Sequence, residues 1–321
     1  MWMRRASNVT KPPPGARVDT THPLGRFCQA ALLFTDGQGT AKNVGPLGVS
    51  TYLETPVVQY YQTQALRTPM LFGSTIPVMT YNAFGPALFF GGDFSGMDIG
   101  LNPLYETYDL DYPEYAVGAS VTRGQTICVV RRKVDTTLRP SSLFGVEDVT
   151  YPNSLMCCGT HCPFSDGNVY WDYGFNSGSN RLVVSGLTFT TQVERYIFTA
   201  GPRGSNVWQN GIKVGSQTTP LVRVVPARDA EYSGWTLNGG NRRHVNGSGD
   251  VQEINFIMYL ATQWTDDLCR WWFAEPFAAF YSAFMARNYY FMGAAPVAGP
   301  DQLVIAPQAP MPRGPQRPVA Y

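Results

Sequence analysis

Glycine and proline recur so often in this chain that no long helix can run through it. There are 32 glycines and 25 prolines among 321 residues. Proline removes a backbone donor and clashes with the preceding turn, and glycine adds chain entropy, so both break helix interiors. What remains between the breaks are short apolar runs closed by turn residues, the pattern of a β-sandwich or barrel. Ala30–Phe34 stops at Asp36-Gly37, Phe84–Phe90 stops at Gly91-Gly92-Asp93, and Gln125–Val130 runs into Arg131-Arg132-Lys133. Arg181–Val184, Glu194–Ala200 and Asn206–Trp208 follow at strand spacing, and Val251–Leu260 reads as a last long strand. The Asn210-Gly211 pair between β-formers predicts a type I′ hairpin, because both central positions of that turn need positive φ. One helix is expected. Thr265 is a fitting N-cap, Asp266 and Asp267 favour the positive end of the helix dipole, and Pro276 demands a stop near Ala274.

Composition narrows the class. Hydrophobic residues make up 44% and aromatics 13%, enough for a sizeable core, while charged residues are only 15% and the net charge is +1. A balanced charge gives no field to hold nucleic acid, and no run reaches the roughly 18 apolar residues of a membrane helix. After Met1-Trp2-Met3-Arg4-Arg5 comes Lys11-Pro12-Pro13-Pro14-Gly15 rather than an apolar stretch, so no signal peptide is expected. Residues 1–26 carry five basic side chains and one acid and are expected to form an extended arm. Residues 27–285 form the body, and residues 286–321 a Pro-rich tail. Arm and tail are either loose ends or segments ordered on a neighbouring subunit.

Catalytic chemistry finds little support. Glycoside hydrolysis on a strand needs carboxylates at alternate positions of one face. Glu106, Asp109, Asp111 and Glu114 do not keep that period, and Pro113 makes their segment a loop. A calcium site using Asp109 and Asp111 is the one metal option there. Cys157-Cys158-Gly159-Thr160-His161-Cys162 is too compact for tetrahedral zinc without a second ligand pair. Free thiols in a turn are the favoured reading, with zinc or a local disulfide as alternatives. Arg131-Arg132-Lys133 and Arg242-Arg243-His244 read as solvated strand ends, and no cofactor is expected. The aromatic load is more telling. Tyr60, Tyr61, Tyr105, Tyr108, Tyr112 and Tyr115 lie in irregular segments, with Trp271 and Trp272 on the expected helix. Amphipathic rings with few charges around them suit a protein interface or a sugar platform. The basic residues Arg4, Arg5 and Lys11 of the arm join the tyrosines and the two tryptophans as candidate partner contacts.

The order of several segments resembles laminin-G-like domains of the concanavalin A-like lectin/glucanase fold. Phe84-Gly85-Pro86-Ala87-Leu88-Phe89-Phe90-Gly91-Gly92-Asp93 with Met97-Asp98-Ile99-Gly100 is similar to the family's opening strands. Val207–Gly215 resembles its Asn-Gly hairpin, Trp235–Gly240 the strand after it, Gly249–Tyr259 its long strand, and Thr265–Leu268 its closing helix. Lys11–Gly15, His22-Pro23-Leu24 and the closing Ala274–Phe280 look like virion proteins of tailed bacteriophages that carry this domain. The resemblance implies an all-β antiparallel jelly-roll sandwich with a short C-terminal helix. It also implies a structural virion protein, a capsid decoration or head/tail accessory, made in the host cytoplasm, that meets other capsid or tail subunits and copies of itself. A lectin-like glycan partner is the alternative it leaves open. Gln252 stands where the family often has Asp, so a metal site of relatives is not expected here.

Overall fold

In a computed structural model, the described residues are 11–13, 16–35, 53–54, 70–72, 77–92, 96–98, 124–140, 143–147, 156–172, 181–220, 235–238 and 249–281. They form two large sheets, antiparallel except for one short parallel pair. The first contains β5 (Val78–Asn82), β6 (Gly85–Gly91), β8 (Gln125–Lys133), β13 (Val193–Gly201), β14 (Gly204–Gln209), β15 (Ile212–Gln217) and β17 (Val251–Leu260). Its order is β15-β14-β13-β8-β17-β6-β5, with β2 (Cys28–Leu32) also paired to β17. The second contains β3 (Leu53–Glu54), β4 (Met70–Phe72), β7 (Gly96–Asp98), β9 (Phe144–Glu147), β10 (Met156–His161), β11 (Val169–Asp172), β12 (Arg181–Val184) and β16 (Trp235–Leu237), ordered β12-β11-β10-β9-β16-β7-β4-β3. A two-stranded ribbon joins β1 (Arg17–Val18) to β18 (Phe280–Tyr281). The all-β sandwich expected from the punctuation is the observed architecture.

Alternation along the strands decides which residues enter which layer. Ile127, Val129, Tyr196, Phe198, Ile257 and Tyr259 of the first sheet meet Phe144, Val169, Trp171 and Leu237 of the second. Trp171 sits at the centre of this core, edge-on to Phe144, and its Nε1 donates to Thr199 O at 3.0 Å. The other face of the same sheet is covered too. Cys128, Val130, Ile197, Phe256, Met258 and Leu260 pack under α1 (Asp266–Ala274) and the segment ahead of β2. Burial on both faces explains why Ile127–Val130 of β8 and Phe256–Leu260 of β17 are unbroken apolar runs rather than alternating ones.

Local chemistry agrees with the sequence where the signal was short-range. Asn210 and Gly211 adopt φ of 48° and 90°, as the hairpin requires. The Thr265 hydroxyl accepts from Leu268 N at 3.4 Å, and Glu275 N donates to Trp271 O at the other end of the helix. Cys269, Trp272 and Phe273, spaced three and four apart, form its buried stripe. No helix among the described residues is long and apolar enough to cross a membrane.

One boundary moves. Residues 16–26, expected as part of an arm, belong to the body: Ala16, Val18 and Leu24 are buried, and β1 is zipped to β18. Three apolar side chains and a strand pairing give this segment enough burial to stay down on its own chain. Residues 1–10 and 286–321 lie outside the described residues.

Candidate functional site

The expected partner contacts divide sharply. Arg4, Arg5, Tyr60, Tyr61, Tyr105, Tyr108, Tyr112 and Tyr115 lie outside the described residues, as do Asp109, Asp111, Arg242, Arg243 and His244. Trp271 is exposed on α1, its ring centroid 4.9 Å from that of His22. Trp272 is not available to a partner: it faces inward, fully buried, and stacks on Phe256. Lys11 is likewise occupied, its ammonium donating to Pro86 O and, at 2.7 Å, to Asn255 O.

The basic run of β8 is the clearest correction. Arg131 and Lys133 are fully buried between the sheets, and only Arg132 points outward. Period two forces this, because Ile127 and Val129 on the same face are core residues. The Arg131 guanidinium donates to Cys162 O, to Gln252 Oε1 at 3.2 Å, to Glu194 Oε2 at 3.3 Å and to Tyr196 Oη at 3.4 Å. Lys133 Nζ pairs with Asp250, whose other oxygen accepts from Arg139 at 3.2 Å. Asn238 completes the cluster: its Oδ1 accepts from Gln252 Nε2 at 2.6 Å and from Asp250 N at 3.0 Å. Burial pulls Lys133 below the ordinary lysine range, against the attraction of Asp250. Charges placed so deep persist only when paired and hydrogen-bonded. A long-range network of this kind has no local sequence signature, so the run looked solvated.

A second cluster lies on the outer face of the second sheet. His161 on β10 stands opposite Tyr170 on β11, and Phe164 leans on both, with ring centroids 4.9 Å from His161 and 5.8 Å from Tyr170. Val169 and Trp171 point into the core, so Tyr170 must point out. The Tyr170 hydroxyl donates to the exposed carboxylate of Asp166. That bond, with those from Asn168, holds the Asp166 carboxyl below its usual range. Arg181 covers one face of Tyr170 at 4.7 Å and grips Asp172 through two bonds of 2.5 and 2.7 Å. Rings, a carboxylate, an amide and a guanidinium thus share one partly open surface.

The cysteine cluster is not a turn. Met156–His161 is a strand, and Cys162, just beyond it, is a buried free thiol that burial pushes up to about 11. Among the described residues no group of three or more His, Cys, Asp or Glu side chains could hold a metal ion.

A third surface feature is the pair of margins of the first sheet. β5 shows Val78 at 54% and Tyr81 at 73% exposure and carries no charged residue. At the opposite margin, Ile212 on β15 is 68% exposed, and the strand's lysine, Lys213, is engaged with Asp266 at 2.6 Å. Neither strand pairs outward among the described residues. Monomeric proteins usually blunt such edges with charge or proline.

These features define an all-β, antiparallel two-sheet sandwich protein with a third layer of helix and chain-terminal segments. No family model matches the sequence, and no curated protein matches it. Among solved structures, it is similar to the Trypanosoma rangeli sialidase in complex with sialic acid, with a TM-score of 0.48, 10% identity and 79% of this chain aligned. The alignment spans 33% of the sialidase chain. It is similar to the binding domain of Botulinum neurotoxin DC in complex with SialylT, with a TM-score of 0.46, 10% identity, and 78% of this chain and 52% of that one covered. Domain 4 of AbnA, a GH43 extracellular arabinanase from Geobacillus stearothermophilus, in complex with arabinotriose, aligns with a TM-score of 0.43 and 12% identity over 63% of this chain and 86% of that one. At such identities and scores, the activities of those proteins do not pass to this chain.

Proposed function

We propose that the chain is a non-catalytic structural subunit of a tailed-phage particle, working through contacts with its own copies and with other capsid or tail proteins. The observation that carries this reading is the pair of charge-poor margins of the first sheet, where Val78, Tyr81 and Ile212 stand exposed. Open edges with little charge are templates for association, and low charge with exposed rings is interface composition. The buried acids support the non-catalytic part. Asp172, Glu194, Asp250 and Glu253 are each engaged by an arginine or lysine, so none is poised as a general acid. The resemblance to laminin-G-like virion proteins supplies the setting.

The double variant Tyr81→Lys/Ile212→Lys tests it. Both side chains face solvent, so each change should alter stability by no more than about 0.5 kcal/mol. The folded variant is expected to be missing from purified particles, as scored by mass spectrometry of the virions. Incorporation at the normal level would reject the reading.

One observation favours a second function, saccharide binding: the His161, Phe164 and Tyr170 rings with Asp166 and Asn168 beside them. Apolar ring faces flanked by a few fixed polar groups suit a sugar's mixed surface. On a glycan array, the wild-type chain should then bind a defined subset of saccharides, and Phe164→Ala should erase that binding. Absence of any selective signal would dismiss this alternative.

A further inference from the structure

β17 changes its neighbour part-way along. Val251–Ile254 pair with β6, whereas Ile257–Leu260 pair with β2. At the change, Asn255 is the extra residue of a register shift against β8, and it is fully buried. Its side chain forms a reciprocal amide pair with Asn82 at the end of β5. Asn255 Nδ2 donates to Asn82 Oδ1 at 3.0 Å, and Asn82 Nδ2 donates to Asn255 Oδ1 at 2.9 Å. Asn82 Nδ2 also donates to Glu253 Oε2 at 2.6 Å, and Arg132 fixes that carboxylate through bonds of 2.7 and 2.8 Å.

Into this arrangement comes Lys11, from the segment ahead of β1. Its Nζ donates to the backbone oxygens of Pro86 and Asn255, and Asn255 Nδ2 donates to the same Pro86 oxygen at 3.1 Å. Amine and carboxamide nitrogen therefore converge on one carbonyl. Among the described residues, Lys11 has no carboxylate partner to hold it charged. Burial alone lowers its ammonium to about 7, so near neutrality much of it is free amine.

We propose that Lys11 and Asn255 join in an intramolecular isopeptide bond, closing the N-terminal segment covalently onto β17. The lone pair of the neutral Lys11 Nζ attacks Cγ of Asn255, forming the new C–N bond. Negative charge gathers on Oδ1, where the Asn82 N–H already donates. Glu253, bonded to the other N–H of Asn82, acts as a positioning residue for that donor. One proton passes from Nζ to Nδ2, the Cγ–Nδ2 bond breaks, and ammonia leaves. Atoms and charge balance without oxidant, metal or cofactor. The remaining Nζ–H stays placed to donate to Pro86 O. Buried proximity would supply the rate, since Nζ is anchored at 2.7 Å on the backbone oxygen of the same asparagine.

Peptide mapping of the full-length chain decides between this bond and a lysine that only caps two carbonyls. Trypsin spares the Lys11-Pro12 bond, so Lys11 falls in peptide 6–17 and Asn255 in peptide 244–270. The expected result is one branched species, lighter by a single ammonia than the two peptides together. Fragmentation should place the branch at Lys11 and Asn255. Lys11→Arg should return both peptides unlinked, and Asn82→Ala should slow linkage in freshly refolded protein. The wild-type digest is sufficient by itself. Recovery of unlinked 6–17 and 244–270 in full yield from aged, folded protein would overturn the proposal.

Discussion

Arg131→Met is expected to lower the unfolding free energy by about 3–5 kcal/mol, read from the midpoint of urea denaturation at unchanged slope. Methionine fills much the same space, so the loss comes from charge rather than from volume. The substitution removes the cationic partner of Glu194, held at 3.3 Å between the sheets, and among the described residues leaves that buried carboxylate only the Tyr196 hydroxyl and Thr190 N as partners. It also frees Cys162 O and Gln252 Oε1, both bonded to the guanidinium. Asp250 suffers less, because Lys133 and Arg139 remain. This asymmetry sets a second expectation. Adding Glu194→Gln to Arg131→Met should recover part of the loss, since the orphaned charge disappears with its partner. A single variant within about 0.5 kcal/mol of wild type would mean that Arg131 is solvated after all and that the network does not hold the sheets together.

Arg131 also shows where a linear sequence stops being informative. Its neighbours in the chain are Arg132 and Lys133, and three adjacent cations read as a solvated strand end. What reverses that reading lies far along the chain: Glu194 arrives on β13, Gln252 on β17 and Asp250 just ahead of β17. Periodicity alone could have raised the question, because Arg131 continues the inward face of Ile127 and Val129. Features governed by local chemistry were readable. The Asn210-Gly211 turn, the Thr265 cap and the stop before Pro276 depend on a few adjacent residues, and the fold realises all three. The third layer was not readable in the same way. β8 and β17 announce burial on both faces, but nothing in residues 16–26 announces that Ala16, Val18 and Leu24 supply part of the cover. The meeting of Lys11, Asn82 and Asn255 is hidden for the same reason, as their partners are fixed by strand order and not by spacing.

The adjacent tryptophans of α1 give the other large effect, and they separate folding from recognition within two residues. Trp272→Ala is expected to cost about 3–5 kcal/mol, through lost apolar burial and the cavity left behind. The ring is fully buried, stacked on Phe256 at 6.2 Å and edge-on to Phe273 at 5.2 Å, so truncation removes the centre of the third layer. Its indole N–H has no hydrogen-bond partner among the described residues. Trp272→Phe should therefore be far milder than alanine, because the smaller ring also removes a buried unsatisfied donor, worth about 1–3 kcal/mol. Trp271→Ala removes an exposed ring that touches His22 and bonds Glu275 at 3.2 Å, and should move stability by only about 0.5 kcal/mol. Denaturant titration of the three variants checks the ranking Trp272→Ala far below Trp272→Phe, with Trp271→Ala beside wild type. If Trp271→Ala then folds normally but weakens particle incorporation, its exposed ring is a contact of the assembled protein. If Trp272→Ala unfolds no more easily than Trp271→Ala, the helix does not cover the first sheet, and the three-layer core is wrong.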